Sequence, residues 1–382
     1  MIDDLSGRAG YSTAVSLLKA AVLAASLFIA LTYPLSLLLG VYIMYEPRLG
    51  LEYLRHQTQI YFICYMFMFP TPFSVGRGFL FASLTAGYFA SLWASARIGG
   101  GFMEAIRKPW RGLSSLPGNW LIYMPTGSGM LLILISALQG IQESVGIPTG
   151  SISFPNPYSG LLSLAYSPVA EEIGFRLTPI GTATALYLLR YGKPRNALLS
   201  TLWPDRGKKA LGLPTIQEDG LKGVSKPEWV AVAVSSAFFG LAHYMAGGGW
   251  DVGKVSSAAL AGTALAFIYL WMGIHASILL HWFFNYYSYI WDVAKMLNAQ
   301  FFTGLEASIY VATLFLGFLG WMRLFWKLYK RLRERRKKKI IIGYMSGLHE
   351  GSMHAGGCSS LMGRFLSIEL DSNLGLRSTV ER

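Results

Sequence analysis

The chain has 382 residues, of which 53% are hydrophobic and only 14% are charged, and its mean hydropathy is +0.41. A soluble domain usually carries about 25% charged residues, so this composition excludes an ordinary soluble globular protein. The net charge of +13 does not predict a nucleic-acid partner. Much of it lies in one basic run after the last apolar segment, where it indicates contact with anionic lipid.

Eight apolar segments predict membrane-spanning helices, since about 20 apolar residues are enough to cross a bilayer. They cover residues 13–45, 76–96, 119–144, 159–189, 228–246, 255–272, 274–291 and 307–325. A further apolar stretch, residues 60–69, is too short to span and is broken off by Pro70 and Pro72. It predicts a re-entrant or interfacial segment, or an extension of the next helix. The sequence therefore predicts an all-α fold, a polytopic bundle of about eight transmembrane helices.

Basic residues alternate between the predicted loops. The loops before the third span and after the fourth span are rich in Lys and Arg, and so is the segment after the eighth span. The loop at residues 145–157 has neither Lys nor Arg, and the loop after Trp291 has only Lys295. Because basic loops stay on the cytoplasmic side, this pattern predicts a multi-pass integral membrane protein with both termini in the cytoplasm.

Two segments outside the spans have their own composition. Residues 99–117 place Phe102, Ile106 and Trp110 at helical spacing beside basic residues, which predicts an amphipathic helix on the cytoplasmic surface. Residues 341–382 are rich in Gly and Ser and show no sustained periodicity. They predict a disordered tail.

Three charged residues interrupt the fourth span. Glu171, Glu172 and Arg176 would each cost roughly 2.5–3.5 kcal/mol in the middle of a span, so a chain that keeps all three is expected to use them. Glu172 and Arg176 are four residues apart and share a helix face, which predicts an ion pair that supports the helix. Glu171 points about 100° away from Glu172. This predicts a carboxylate that faces a cavity and acts as a general base.

Two later spans carry polar groups at the same i,i+4 spacing. The fifth span ends with Phe239 and His243, and the seventh contains His281 and Asn285. His281 and Asn285 lie on one helix face and could hold a developing oxyanion. His243 could orient a water together with Glu171, or bind a metal ion. Phe239 is predicted to pack rather than to take part in chemistry.

These motifs, in this order on three spans, resemble those of the CPBP family of intramembrane proteases. This family includes the type II CAAX prenyl endopeptidases and the bacteriocin-processing and immunity proteins. The resemblance covers roughly residues 158–290. Its motif residues are Glu171-Glu172-x-x-x-Arg176, Phe239-x-x-x-His243 and His281-x-x-x-Asn285.

The resemblance implies an intramembrane endopeptidase that acts near the membrane surface on a peptide or protein substrate, with prenylated CAAX-type C-termini as one candidate. Its expected contacts are the substrate and membrane lipid, without nucleic acid. The resemblance also implies that the first Glu and the second-motif His activate water, while the third motif stabilises the oxyanion. The catalytic residues implied in this way are Glu171, His243, His281 and Asn285, with Glu172 and Arg176 as structural residues.

The sequence does not decide whether the site binds a zinc ion. One Glu and two His residues form an acceptable catalytic zinc set, and the residues concerned are Glu171, His243 and His281. The family resemblance is compatible both with a metalloprotease and with a glutamate-based mechanism without metal. The sequence therefore predicts no cofactor with certainty.

The predictions divide the chain into four parts. Residues 1–157 would hold N-terminal membrane helices with the cytoplasmic amphipathic segment, and residues 158–292 the catalytic membrane core. Residues 293–340 would hold the last transmembrane helix with its basic juxtamembrane run, and residues 341–382 the disordered tail.

Two other functions are compatible with the motifs. In a proton-coupled transporter, Glu171, Arg176 and the membrane histidines would form a relay, but the inverted repeats typical of such carriers are not visible in the sequence. A non-catalytic scaffold or immunity protein of the same family is the second alternative. His275 matches no motif position and is interpreted as a helix-end or cavity-lining residue.

Overall fold

The computed structural model describes residues 2–98, 119–191 and 194–352. The predicted amphipathic segment at residues 99–117 and the end of the predicted tail, residues 353–382, lie outside this described part of the chain. The α-helices are α1 Ile2–Met44, α2 Gly50–Arg55, α3 Arg77–Arg97, α4 Trp120–Ser144, α5 Pro157–Glu172, α6 Thr182–Leu188, α7 Pro194–Ser200, α8 Pro204–Ala210, α9 Ile216–Asp219, α10 Lys226–Met245, α11 Gly253–Met272, α12 Ile274–Trp282, α13 Ser288–Ala294 and α14 Ala299–Ser352.

Two π-helical segments connect neighbouring helices without a break. Ile173–Gly181 joins α5 to α6, and Phe283–Tyr287 joins α12 to α13. A single 3-10 turn, Gly220–Gly223, precedes α10. The mostly helical architecture confirms the predicted all-α class.

The chain divides into two compact units, Met1–Trp321 and Met322–Arg382. The second unit contains the C-terminal part of α14, in which Trp326 stacks on Tyr329 and the Lys330 ammonium lies over the Trp326 ring. Helical structure continues to Ser352. The first residues of the predicted disordered tail are therefore helical, because they follow a run of Lys, Arg and Leu residues that favour helix formation.

Five helices in the described residues are long and apolar enough to cross a membrane by themselves. The other three predicted spans, residues 159–189, 228–246 and 274–291, also fall on helical residues. The total of eight spans stays a prediction. The five candidate spans are Val15–Met44, Arg77–Arg97, Trp120–Ser144, Gly253–Met272 and Ala299–Glu334.

The apolar stretch at residues 60–69 forms part of a β-hairpin, so its interpretation as an extension of the next helix is wrong. The strands are β1 Gln57–Cys64 and β2 Phe67–Gly76, paired antiparallel. Tyr65 and Met66 make the turn, both with positive φ. Aromatic and proline-rich residues in short alternation favour strand over helix here.

An aromatic cluster surrounds α12 and fixes its position. Trp282, which is completely buried, contacts the rings of Tyr33 on α1, Tyr88 on α3 and Tyr287 in the second π-helical segment. Aromatic pairs of this kind contribute beyond their buried area. The cluster therefore holds α12, which carries His281, against the N-terminal helices.

One cation that the sequence assigned to a basic loop is buried. Lys208 is 1% exposed and lies 3.3 Å from carboxylate oxygens of both Asp205 and Glu228. Thr184 donates a hydrogen bond to the second oxygen of Glu228. A buried cation of this kind is tolerated only when paired and hydrogen-bonded, so Lys208 connects the loop to α10 rather than facing solvent.

Candidate active site

The charged segment of the fourth predicted span lies where α5 ends and the first π-helical segment begins. Asn156 starts α5, since its side chain accepts a hydrogen bond from the Ser159 backbone amide. At the other end of the helix, Glu172 is completely buried, whereas the Glu171 side chain is 21% exposed. The two neighbouring carboxylates therefore have different surroundings.

Glu172 is surrounded by hydrogen-bond donors. The Arg176 Nε atom lies 3.4 Å from its Oε2 atom, as the i,i+4 spacing predicts. The Ser277 hydroxyl donates to the same oxygen, and the Nδ1 atom of His281 lies 2.9 Å from Oε1. Both carboxylate oxygens are thus occupied by groups from α12 and from its own helix.

The Arg176 guanidinium is completely buried and is held from three sides. It pairs with Glu172, its Nη2 atom donates to the Gly262 carbonyl oxygen over 3.4 Å, and its Cζ atom lies 4.2 Å from the centroid of the Phe239 ring. A cation over an aromatic face gains most where water is absent. This arrangement fits the structural role expected of Arg176.

Phe239 packs against Arg176 and both histidines. Its ring centroid lies 4.7 Å from that of His243 and 5.7 Å from that of His281, both edge-to-face. Arg176 lies over the same ring. Its contacts in the site are therefore those of a packing residue.

His243 has a defined tautomer. Its Nδ1 atom lies 2.8 Å from the Phe239 carbonyl oxygen. A carbonyl oxygen only accepts hydrogen bonds, so Nδ1 carries the hydrogen and, in the neutral ring, Nε2 carries the lone pair. His243 therefore presents a proton acceptor on the side away from its own helix.

His281 lies between the two carboxylates. Its Nδ1 atom contacts Glu172, and its Nε2 atom is 3.6 Å from Glu171 Oε2. That oxygen of Glu171 has no hydrogen-bond partner within the described residues. The Nδ2 atom of Asn285 donates to the Ser167 hydroxyl over 2.9 Å and lies 3.4 Å from His281 Nε2.

A cavity of about 100 Å³ opens beside these groups. Four of its lining residues were singled out from the sequence: Phe239, His243, His281 and Asn285. Glu171 does not line the cavity itself but lies 3.6 Å from His281, which does. The remaining wall is mostly apolar, with Leu131, Ile135, Ala261, Leu265 and Phe284 among its residues.

Sequence reasoning missed three polar residues of the site. Ser277 supports Glu172, Ser167 supports Asn285, and Lys254 lines the cavity. Ser277 lies four residues before His281 and Ser167 four before Glu171, so helical spacing from a motif residue was an available signal. His275, in contrast, is buried beside Trp203 and does not line the cavity.

The residues left open for zinc do not form a ligand set. Among the residues that the structure describes, no group of three or more His, Cys, Asp or Glu side chains is arranged to hold a metal ion. His243 Nδ1 bonds to a carbonyl oxygen and His281 Nδ1 to Glu172, so each ring keeps only its Nε2 atom for a metal ion. As placed among the described residues, Glu171, His243 and His281 are not arranged as a metal-ligand set.

The β-hairpin packs directly on the active-site helix. The Tyr65 amide donates to the Thr178 hydroxyl over 2.9 Å, and the Met66 amide donates to the Gly174 carbonyl oxygen over 3.1 Å. A β-carbon at Gly174 would overlap with the side chain of Ile63. The absence of a side chain at Gly174 thus allows the hairpin to pack against the chain two residues after Glu172.

We expect Gly174→Ala to lower the thermal stability and the activity of the purified protein together. The added methyl group must displace the hairpin, and overpacking of this kind costs typically 1–3 kcal/mol. Gly87→Ala on α3 is the matched control, because nothing lies within 4 Å of its new β-carbon and Ala favours helix over Gly. Thermal unfolding in detergent measures the stability of the two variants. Equal melting temperatures for the two variants would contradict the predicted contact.

Part of the chain is similar to a known protein family. Residues 154–287 match the family model described as "Type II CAAX prenyl endopeptidase Rce1-like". The match covers α5 to the second π-helical segment and includes all of the motif residues. No curated protein and no solved structure matched the chain.

Proposed function

Because residues 154–287 form a domain of the CPBP family of intramembrane proteases, we propose that this integral membrane protein hydrolyses a peptide bond near the membrane surface with a water molecule activated by Glu171 and His243. One observation carries the proposal. The partly exposed carboxylate of Glu171 lies 3.6 Å from His281, which lines a cavity together with His243 and Asn285.

Glu171 is the general base. Its side chain is 21% exposed, so the carboxylate can accept a proton from water, while its buried Oε2 atom has no hydrogen-bond partner within the described residues. Glu172 is unsuited to that step because Arg176, Ser277 and His281 occupy its oxygens. The water oxygen attacks the peptide carbonyl carbon as its proton passes to Glu171.

His243 completes the path of the protons. The lone pair on its Nε2 atom orients the attacking water and accepts a hydrogen bond from it. The proton taken from water then passes to the leaving amide nitrogen, the C–N bond breaks, and a carboxylic acid and an amine are released. Glu171 and His243 return to their starting protonation states, so that the step balances without a further reactant.

Asn285 and His281 stabilise the oxyanion. Asn285 offers its amide hydrogens directly. The Nδ1 hydrogen of His281 is used by Glu172, so the ring donates from Nε2 only when it carries a positive charge. Glu172 holds the ring at Nδ1, and Glu171 lies 3.6 Å from Nε2.

The apolar cavity wall favours a substrate with an apolar group beside the scissile bond. Prenylated CAAX-type C-termini meet this requirement, and we assign them as the substrate class.

We expect His243→Gln to lower the rate of peptide cleavage by about 10²- to 10⁴-fold, the range of acid–base catalysis. The assay uses the purified protein in liposomes with a fluorogenic CAAX peptide, with and without a prenyl group. His275→Gln is the control, since His275 is a histidine on α12 that does not line the cavity. Cleavage that survives His243→Gln unchanged would refute the mechanism. A wild-type protein inactive on both peptides would favour a non-catalytic scaffold.

A further inference from the structure

The catalytic cavity contains a lysine that the proposed hydrolysis does not use. Lys254, the second residue of α11, lines the cavity together with His243, His281 and Asn285. It is the one Lys or Arg among the cavity-lining residues that the structure describes. A cation beside a catalytic site in a largely apolar wall requires an explanation, because its desolvation is unfavourable.

The ammonium group of Lys254 has no anionic partner within the described residues. Its Nζ atom lies 3.7 Å from the centroid of the Trp250 ring, and the residue is half-buried. Glu171 attracts it electrostatically but forms no ion pair with it among the described contacts, in contrast to Lys208, which has two carboxylates at 3.3 Å. Lys254 therefore keeps hydrogen-bond donors available for an anion in the cavity.

The Trp250 ring, over which the Lys254 ammonium group lies, belongs to a segment that is held by main-chain bonds. Gly150 forms a β-bridge with Trp250. On either side, the Ser151 amide donates to Gly249 over 3.0 Å and the Asp251 amide donates to Thr149 over 3.2 Å. Main-chain bonds thus hold the segment before α11 against the segment before α5, so that Lys254 is positioned before any ligand arrives.

We propose that Lys254 binds the free α-carboxylate of the substrate and thereby restricts cleavage to peptide bonds near a C-terminus. The inference rests on the proposed endopeptidase function and extends it to substrate selection. A substrate C-terminus brings one negative charge into the cavity and so supplies the anionic partner that Lys254 does not have within the described residues. The apolar wall would contact the side chains of the substrate. Hydrogen bonds that involve charged groups contribute about 1.5–3 kcal/mol, which corresponds to roughly a 10- to 100-fold preference.

The test compares two peptides of identical sequence, one with a free C-terminal carboxylate and one with a C-terminal amide. We expect the wild-type protein to cleave the acid with a kcat/KM roughly 10- to 100-fold higher than the amide, mainly through KM. Lys254→Met should bring the ratio close to one, and Lys254→Arg should retain a preference. Lys295→Met, which removes a lysine that pairs with Asp292 and Glu306, should keep the wild-type ratio.

Other results would overturn the inference. Equal cleavage of both peptides by the wild-type protein would show that the carboxylate is not recognised, although the proposed hydrolysis would stand. If Lys254→Met lowered kcat/KM equally for both peptides, Lys254 would instead stabilise the oxyanion or the fold. A ratio that follows the content of anionic lipid in the liposomes would assign the bound anion to a lipid phosphate.

A binding measurement separates this inference from the proposed hydrolysis. Labelled acid and amide peptides are titrated against wild-type protein and Lys254→Met by fluorescence anisotropy, both in the Glu171→Gln background. We expect tighter binding of the acid to the protein that keeps Lys254, and equal binding of both peptides to Lys254→Met. Equal binding to both proteins would refute the role of Lys254, whether or not the wild-type protein cleaves.

Discussion

Glu171→Gln is expected to lower peptide cleavage by about 10²- to 10⁴-fold while the protein remains folded. The substitution keeps the size of the side chain but removes the proton acceptor, and no described residue depends on Glu171 Oε2 for a hydrogen bond. Hydrolysis of a fluorogenic peptide measures the rate, and the thermal melting temperature in detergent reports the fold.

Two further variants make this prediction specific to the base. Glu171→Asp keeps a carboxylate but withdraws it from the cavity, so we expect an activity between those of the wild-type protein and Glu171→Gln. Glu306→Gln, which removes a carboxylate paired with Lys295, should leave the rate unchanged. If Glu171→Gln cleaved at the wild-type rate, the base would have to be another group and the division between the two glutamates would be wrong.

Arg176→Met is expected to destabilise the protein by about 3–5 kcal/mol, the usual cost of leaving one partner of a buried ion pair without the other. Glu172 is completely buried and would keep only Ser277 and His281 as donors. The Phe239 ring would also lose the cation on its face. Thermal unfolding in detergent should show a large fall in melting temperature.

The double variant Glu172→Gln/Arg176→Met separates charge from packing. Removing both charges avoids a buried carboxylate without its cation, so the double variant should be more stable than Arg176→Met alone. It should stay inactive, since it lacks the carboxylate that holds the Nδ1 atom of His281. Arg48→Met, at an exposed position, is the control and should change stability by no more than about 0.5 kcal/mol. A fully active double variant would contradict the role of Glu172 in orienting His281.

The sequence by itself determined the membrane class, the helical fold and the ion pair of Glu172 with Arg176. These features are local. A span is recognised from the composition of about 20 consecutive residues, and two side chains four residues apart on a helix meet in almost any tertiary context. The family domain was also recognisable from three short motifs, because each motif is a helix-face spacing that does not depend on where the helices pack.

Only the tertiary structure decided which helices supply partners to one another. Glu172 and His281 are 109 residues apart, and no periodicity connects them. Helical spacing predicted the face that His281 presents but not that its Nδ1 atom would meet Glu172. The same holds for Ser277, and for Lys208, which counted as a loop cation in the sequence and is buried between two carboxylates.

The hairpin and the cavity lysine show the same limit. Residues 60–69 are apolar enough for a short helix, and their strand conformation depends on packing against Gly174 and Thr178. Lys254 is one charge at the start of a span in the sequence, where snorkelling to the membrane surface explains it equally well. The packing of α11 beside α10 and α12 places it next to His243 and His281 instead. Composition and spacing determine which groups the chain possesses, whereas long-range packing determines which of them act together.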